Sequence, residues 1–194
     1  MIYRVAEIFA SLQGEGAQAG HSAVFLRFAG CNLACDFCDT DHGEEAVFSG
    51  PDSLADAVAG AWMGGEAHRL CVATGGEPAL QLDAPLIEAL HRRGFRVAVE
   101  TNGTVPLPAG LDWICVSPKA GEDLVVRTGD ELKLPYPQPG APPEAFGNLA
   151  FRHRFLQPID GPDRQAHTRS AVAYCLRHPE WRLSVQIHKQ IGIR

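Results

Sequence analysis

Short β-branched segments alternate with amphipathic segments along most of this 194-residue chain. The apolar segments predict strands at 24–28, 69–73, 95–100, 113–117, 131–135, 154–157 and 181–187. The amphipathic segments predict helices at 53–63, 83–93 and 163–177. Strands interleaved with helices favour right-handed βαβ units and a parallel sheet.

The length of the chain limits this architecture further. A complete eight-fold barrel takes about 250 residues, with a floor near 200, and only three good helical segments occur here. We therefore predict an α/β fold, an open, partial (β/α) barrel with mainly parallel strands that is shorter than a full TIM barrel. Since no repeat or long linker interrupts the pattern, residues 1–194 are predicted to form a single domain. Chemistry is expected at the C-terminal ends of the strands.

Composition excludes several classes of function. The chain is 45% apolar and carries a net charge of −6, without a Lys/Arg tract that would favour a nucleic-acid surface. No apolar segment approaches the roughly 20 residues that span a bilayer. The N-terminus has no apolar region typical of a secretory signal, so a reducing, cytoplasmic location is expected.

Three closely spaced cysteines follow the predicted strand at 24–28. Cys31, Cys35 and Cys38 have the spacing C-x3-C-x2-C. Structural zinc and iron–sulfur cubes normally take four protein ligands. Three thiolates on a four-iron cube leave one iron open, and an open iron can chelate adjacent amino and carboxylate groups, as S-adenosylmethionine requires.

Other interpretations of these cysteines remain open at this point. His21 or His42 could complete a zinc site, and two of the thiols could form a disulfide, although a reducing compartment argues against the latter. The three remaining cysteines lie separately in apolar segments and are interpreted as buried small side chains; they are Cys71, Cys115 and Cys175.

The Thr74–Pro78 segment follows another predicted strand. Its two glycines permit close backbone approach to a ligand, and Glu77 can accept a hydrogen bond from an ammonium group. Alone, it would be an ordinary glycine-rich turn. Together with the three cysteines and the aromatic Phe37 before the last of them, it resembles the signature of the radical S-adenosylmethionine superfamily.

Polar residues near the N-terminus indicate a small-molecule substrate. The glycine-rich Ser11–Gly16 segment lacks the lysine of a phosphate-binding loop. Gln13 and Glu15 offer an amide and a carboxylate to the edge of a heterocycle. Arg27 offers a guanidinium to a substrate carboxylate, and its alternative is a surface ion pair.

An ordered set of motifs from Tyr3 to the C-terminus resembles the 7-carboxy-7-deazaguanine synthase family. The motifs are F-x-S-L-Q-G-E-G, R-F-A-G-C-N-L, C-D-T-D, T-G-G-E-P, E-T-N-G, V-S-P-K and Q-P-I-D-G. The resemblance implies a carbon–nitrogen lyase that converts 6-carboxy-5,6,7,8-tetrahydropterin to 7-carboxy-7-deazaguanine with loss of ammonia, on the path to queuosine and related deazapurines. It also implies a [4Fe–4S] cluster, S-adenosylmethionine and Mg²⁺, a cytoplasmic homodimer, an electron donor such as flavodoxin, and no nucleic-acid or membrane partner.

The resemblance also implies roles for individual residues. The cluster ligands would be Cys31, Cys35 and Cys38, and the Mg²⁺ ligand would be Thr40. The S-adenosylmethionine site would comprise Phe37, Cys38, Asp39, Gly76, Glu77, Ser117, Pro118, Lys119, Gln157, Pro158, Ile159 and Asp160. The substrate site would comprise Leu12, Gln13, Gly14, Glu15, Arg27, Thr74, His188 and Arg194. No catalytic side chain is assigned, because the resemblance implies a 5′-deoxyadenosyl radical derived from the cofactor.

Two functions from other classes remain open from the sequence. A radical activase would form a glycyl radical on a partner protein through a docking surface, and a non-catalytic module would bind zinc. The Leu12–Glu15 segment and Thr40 favour a small heterocyclic substrate over either.

Overall fold

The computed structural model describes residues 1–43 and 46–194. The strands are β1 (Ile2–Leu12), β2 (Ser22–Phe28), β3 (Ala46–Ser49), β4 (Leu70–Gly75), β5 (Arg96–Thr101), β6 (Trp113–Val116), β7 (Thr128–Tyr136), β8 (Ala150–Pro158) and β9 (Arg182–Leu183). The α-helices are α1 (Pro51–Ala61), α2 (Ala84–Arg92), α3 (Arg164–Arg177) and α4 (Ile187–Ile191). None of these helices is long and apolar enough to cross a membrane.

The described strands form one nine-stranded sheet in the order β3-β1-β2-β4-β5-β6-β7-β8-β9. The ladder is parallel from β2 through β9, whereas β1 runs antiparallel to both of its neighbours. Strands β3 and β9 are edges of this sheet, so the barrel is open. The predicted fold, a partial barrel with mainly parallel strands, is confirmed.

Helices cover only part of the sheet, which explains the short chain. Helices α1 and α2 bury Leu54, Val58, Leu86 and Leu90 in a core with strands β1 to β5. Helix α3 packs beside β8 and β9. Within the described chain, the connections from β5 to β8 contain no α-helix. A second hydrophobic core lies around β7 and β8, and loop side chains such as Leu149 contribute to it in place of a helix.

Helix boundaries were predicted closely, with one clear difference. Helix α2 begins after Asp83, whose carboxylate accepts from the backbone N–H of Leu86 at 3.0 Å, as its capping role requires. Helix α1 begins at Pro51, earlier than the predicted residue 53. Proline suits the first helical position because its missing N–H would be unpaired there in any case.

The predicted strand at 181–187 is wrong over most of its length. Only Arg182–Leu183 pairs with β8. The chain then leaves the sheet edge, the backbone N–H of Ile187 donates to the carbonyl of Gly14 at 3.0 Å, and α4 follows. Alternating apolar residues predicted a longer strand. Instead, contacts with the β1–β2 connection hold this segment over the C-terminal ends of the parallel strands.

Candidate active site

A cavity of about 710 Å³ lies where the parallel strands end. Its walls include the last residues of β2, β4, β5 and β8, the segment that follows β2, and the C-terminal segment. This is the end of the sheet at which β/α folds collect chemical groups from separate strands.

Nearly all of the predicted site residues line this one cavity. The predicted metal and substrate residues found there are Cys31, Cys35, Cys38, Thr40, Leu12, Gln13, Gly14, Glu15, Arg27, Thr74, His188 and Arg194. The predicted cofactor residues found there are Phe37, Asp39, Gly76, Ser117, Lys119, Gln157, Pro158, Ile159 and Asp160. Glu77 and Pro118 do not line it.

The cysteine loop, residues 29–43, forms one wall of the cavity and carries three free thiols. Burial raises the pKa of the Cys35 thiol; the neighbouring Cys31 and Cys38 add to the rise, and Lys119 opposes it. Among the described residues, no three His, Cys, Asp or Glu side chains converge as a tight metal-binding group. The donor set nevertheless suits an iron–sulfur cluster, because three thiols on one short loop face the same cavity.

The Gly75–Gly76 pair packs against the start of the cysteine loop. A Cβ atom on Gly76 would lie 1.9 Å from the carbonyl oxygen of Gly30, and one on Gly75 would lie 2.3 Å from that of Phe28. Gly75 also has a φ of +139°, which L side chains rarely adopt. The structure shows that these glycines leave room for the loop that carries the cysteines. Their predicted close approach to a ligand stays a prediction.

Alanine at position 76 should therefore disturb the cysteine loop. Because the clash is with backbone, we expect Gly76→Ala to lower the free energy of unfolding by about 1–3 kcal/mol and to reduce iron incorporation. Chemical denaturation and iron analysis would measure both effects. Gly60→Ala is the matched control, since nothing lies within 4 Å of its added Cβ. Iron content and stability equal to that control would contradict this interpretation.

Glu77 connects the ends of β4 and β5 without lining the cavity. Its side chain is fully buried, and its oxygens accept from Thr101 Oγ1 at 2.7 Å, the N–H of Asn102 at 2.7 Å and the N–H of Ala79 at 2.9 Å. All three hydrogen bonds of this carboxylate are thus made within the protein, and its predicted contact with a cofactor ammonium stays a prediction. Pro118 likewise lies beside a smaller pocket, of about 90 Å³.

A buried ion-pair network, which the sequence did not predict, forms the floor of the cavity. Lys133 on β7 is buried, and its Nζ donates to Glu15 Oε2 at 2.6 Å and to Glu100 Oε2 at 2.5 Å. Gln13 Nε2 donates to the other oxygen of Glu100 at 2.9 Å. The sequence did not predict the ion pairs of Lys133, because a single lysine within an apolar strand does not indicate which acidic residues it contacts.

The charges on this floor are fixed by their neighbours. Burial alone would raise the pKa of Glu15, but the Lys133 ammonium and hydrogen bonds from Lys133, Gln157 and Gln186 bring it down to about 2. Burial would lower the pKa of Lys133, but the surrounding acids and Cys115 hold it well above its ordinary value. The floor therefore presents the Glu15 carboxylate and the Lys133 ammonium in a constant ionisation state.

The C-terminal segment closes one side of the cavity. Lys189 pairs with Asp39 of the cysteine loop and, at 2.7 Å, with Asp160 at the end of β8. Gln186 Nε2 donates to Glu15 Oε1 at 3.0 Å and to Asp39 Oδ2 at 3.2 Å. The segment thus connects the cysteine loop with the end of β8. The strand that was incorrectly predicted at 181–187 gave no indication of these contacts.

Arg27 lines the cavity and also takes part in an ion pair, while its contact with a substrate carboxylate stays a prediction. Its guanidinium lines the cavity, and its Nε also donates to Glu7 Oε1 at 2.6 Å. Glu7 further accepts from Nη2 of Arg194 at the C-terminus. The ion pair therefore lies at the candidate substrate site rather than away from it.

Comparison with known proteins gives the family. Residues 26–132 match the Radical SAM superfamily. The chain is 57% identical over 209 residues to the 7-carboxy-7-deazaguanine synthase of Bordetella pertussis and 56% identical over 209 residues to that of Caulobacter vibrioides, and each alignment covers 100% of both proteins. The chain belongs to the 7-carboxy-7-deazaguanine synthase family. The crystal structure of QueE from Escherichia coli superimposes with a TM-score of 0.77 at 28% identity, covering 97% of this chain and 95% of that one.

Membership of the 7-carboxy-7-deazaguanine synthase family confirms the enzyme class predicted from the motifs. The radical S-adenosylmethionine superfamily implies a [4Fe–4S] cluster and S-adenosylmethionine as cofactors. The cavity that collects the family motifs is therefore the candidate active site of a radical enzyme.

Proposed function

We propose that this chain converts 6-carboxy-5,6,7,8-tetrahydropterin to 7-carboxy-7-deazaguanine with loss of ammonia, in the biosynthesis of queuosine and related 7-deazapurines. The observation that carries this proposal is full-length identity of 57% to a 7-carboxy-7-deazaguanine synthase. The gathering of the motif residues around one cavity supports it.

The cofactors would occupy the wall made by the cysteine loop and the ends of β4, β6 and β8. Cys31, Cys35 and Cys38 would hold the cluster, and Asp39, Gly76, Ser117, Lys119 and the Gln157–Asp160 segment would surround S-adenosylmethionine. When bound, the two groups supply the one-electron chemistry that activates a substrate C–H bond. Burial lowers the pKa of the Lys119 ammonium, while the Cys35 thiol opposes that change.

The floor of the cavity would orient the pterin ring. Glu15 stays ionised, because its pKa is about 2, and can accept hydrogen bonds from ring N–H groups. Glu100 and Gln13 add acceptors beside it. Lys133 stays protonated at neutral pH, so it holds the two carboxylates in place and is unsuited to accept a proton during the reaction.

We also propose Mg²⁺ binding at Thr40, on the cysteine loop. Thr40 lines the cavity, and its Oγ1 lies 3.4 Å from Asp39 Oδ1, but Asp39 is already paired with Lys189. One hydroxyl oxygen is far short of the near-octahedral oxygen coordination that Mg²⁺ demands. Substrate oxygens and water would have to complete the site, where the cation would orient the substrate carboxylate.

Mg²⁺ binding should consequently depend on substrate. Calorimetry is expected to detect little Mg²⁺ binding to substrate-free holoenzyme, and Thr40→Ala should remove the stimulation of turnover by Mg²⁺. Thr168→Ala is the control, because this half-buried threonine on α3 lies outside the cavity and bonds only its own helix. Tight Mg²⁺ binding without substrate, or an unchanged Mg²⁺ response in Thr40→Ala, would refute the site.

Four further predictions from the sequence and the family resemblance remain proposals. They are a single domain over residues 1–194, a flavodoxin-like electron donor, a cytoplasmic location, and a homodimer. The exposed apolar side chains on β1 and the edge strand β3, including Ile2 and Val47, are a surface on which a second copy could pack.

Ammonia release tests the proposed activity. Anaerobic enzyme with reductant and S-adenosylmethionine should release one ammonia for each molecule of 6-carboxytetrahydropterin consumed. Tetrahydropterin without the carboxyl group is the matched control and should release none. Equal release from both compounds, or none from either, would contradict the proposed substrate.

A further inference from the structure

A β-bulge in β1 moves Glu7 onto the sheet face that carries the cavity-lining residues Phe9 and Arg27. Tyr3 and Val5 face the core beneath the helices, and regular alternation would put Glu7 on that same face. Instead, Val5 pairs with Phe28 while Glu7 pairs with the preceding residue, Arg27, so one extra residue is accommodated between them. Such bulges re-aim side chains next to functional sites.

The residues after the bulge confirm the change of face. Ile8 packs against the helix-covered core, whereas Phe9 lines the cavity and stacks on Phe25 with ring centroids 5.1 Å apart. The bulge therefore places a carboxylate, which does not itself line the cavity, on the same sheet face as Phe9, where β1 otherwise presents apolar or small side chains.

Glu7 contacts two arginines from opposite ends of the chain. Its Oε1 accepts from Arg27 Nε at 2.6 Å, and its Oε2 accepts from Arg194 Nη2. The guanidinium carbon of Arg194 lies 4.7 Å from the centre of the Phe9 ring, and its carbonyl oxygen accepts from Ser11 Oγ. Glu7 is thus the charged link between β2 and the C-terminal residue.

Glu7 binds Arg27 in a way that leaves the two terminal nitrogens of the guanidinium available to a ligand. Glu7 occupies Nε, whereas Nη1 and Nη2 of Arg27 have no hydrogen-bond partner among residues 1–43 and 46–194. The two terminal nitrogens form one of the forks that bind a carboxylate through two parallel hydrogen bonds. The Arg27 side chain is only 18% exposed, so its orientation depends on this neighbour.

We propose that Glu7 is a positioning residue for the substrate carboxylate. It holds the Arg27 fork towards the cavity and keeps the C-terminal Arg194 beside it, so that an anionic group of the ligand meets a preformed cationic site. This inference rests on the proposed function, because it requires a carboxylated pterin.

Electrostatics alone predicts the opposite effect of removing Glu7. A carboxylate beside two guanidinium groups reduces their attraction for an anion, so Glu7→Ala would tighten binding if charge were the only factor. Positioning predicts weaker binding, since an unrestrained arginine must be ordered by the ligand itself. The sign of the change therefore separates the two explanations.

Equilibrium binding to anaerobic holoenzyme tests the proposal. With 6-carboxypterin as the probe, Glu7→Ala should weaken binding about tenfold, the size of one weakened charge-assisted contact, and should leave binding of unsubstituted pterin unchanged. Glu7→Gln keeps an acceptor for Arg27 Nε and should lie between wild type and Glu7→Ala. In turnover with the carboxytetrahydropterin, KM should rise more than kcat falls.

Three controls separate positioning from a general structural effect. Glu88→Ala removes an exposed carboxylate on α2, away from the cavity, and should bind 6-carboxypterin as wild type does. Adding Glu7→Ala to Arg27→Ala should cause no further loss, because the two residues act as a unit. Iron content should remain that of wild type in every variant.

The outcomes distinguish this inference from the proposed function. If wild type neither binds 6-carboxypterin nor turns over the carboxylated substrate, both fail. If wild type does so and Glu7→Ala and Glu7→Gln bind equally well or more tightly, only the role of Glu7 is overturned. Equal losses for 6-carboxypterin and unsubstituted pterin would also overturn it.

Discussion

Replacing Lys133 with methionine should destabilise the fold by about 3–5 kcal/mol, the usual effect of removing one partner from a buried ion pair. Methionine fills much of the space of the lysine stem but leaves Glu15 and Glu100 facing each other without a cation. Chemical denaturation of wild type and variant, compared at equal m-values, would measure the loss.

The pH dependence of this loss gives a second readout. The pKa of Glu15 is lowered from 4.5 to about 2 in the folded protein. Its contribution to stability is therefore present above pH 4.5 and is lost as the pH falls towards 2. Lys133→Met should remove most of this contribution, so the stabilities of wild type and variant should converge on acidification.

A surface variant provides the comparison for Lys133. Arg92→Met removes a cation from an exposed pair with Asp52 and should change stability little. Combining Lys133→Met with Glu100→Gln should recover part of the loss, because one uncompensated charge disappears. A Lys133→Met variant as stable as Arg92→Met would show that the floor is not a tightly coupled charge network.

Replacing Cys35 with alanine should abolish cluster assembly and, with it, every reaction that depends on S-adenosylmethionine. Two thiolates hold too few corners of a four-iron cube, whereas three leave one iron open. Iron and acid-labile sulfide, measured after anaerobic reconstitution, are expected to fall to the background of protein without added iron.

The scattered cysteines supply the control for that experiment. Cys175 is half-buried on α3, outside the cavity, and Cys175→Ala should assemble a full cluster. A full complement of iron and sulfide in Cys35→Ala would refute the ligand assignment. Zinc in place of iron in wild type would instead favour the binding-module interpretation.

The site residues that could be predicted from the sequence lie in short contiguous motifs. Cys31, Arg27 and Thr74 follow or end apolar strands, and parallel strands bring their C-terminal ends to one edge of the sheet. The strand and helix alternation likewise predicted an open barrel, because local apolar patterning carries that information.

The parts that could not be predicted depend on contacts between distant residues. Lys133 and Glu15 are 118 positions apart in the sequence, and no local pattern around either residue predicts that they form an ion pair. The bulge before Glu7 interrupts the alternation of β1, so the sequence did not predict that strand or the direction of the Glu7 side chain. The internal hydrogen bonds of the buried Glu77 were not predicted either, because its partners Thr101 and Asn102 lie on the next strand end.

The mass of the product formed from 6-carboxytetrahydropterin tests the central claim most directly. Anaerobic enzyme with an intact cluster, reductant and S-adenosylmethionine should yield a compound lighter than the substrate by one ammonia, with the ultraviolet spectrum of 7-carboxy-7-deazaguanine, and Cys35→Ala should yield none. Recovery of the pterin unchanged from fully reconstituted, reduced enzyme, or a product that keeps all the nitrogen of the substrate, would contradict the account.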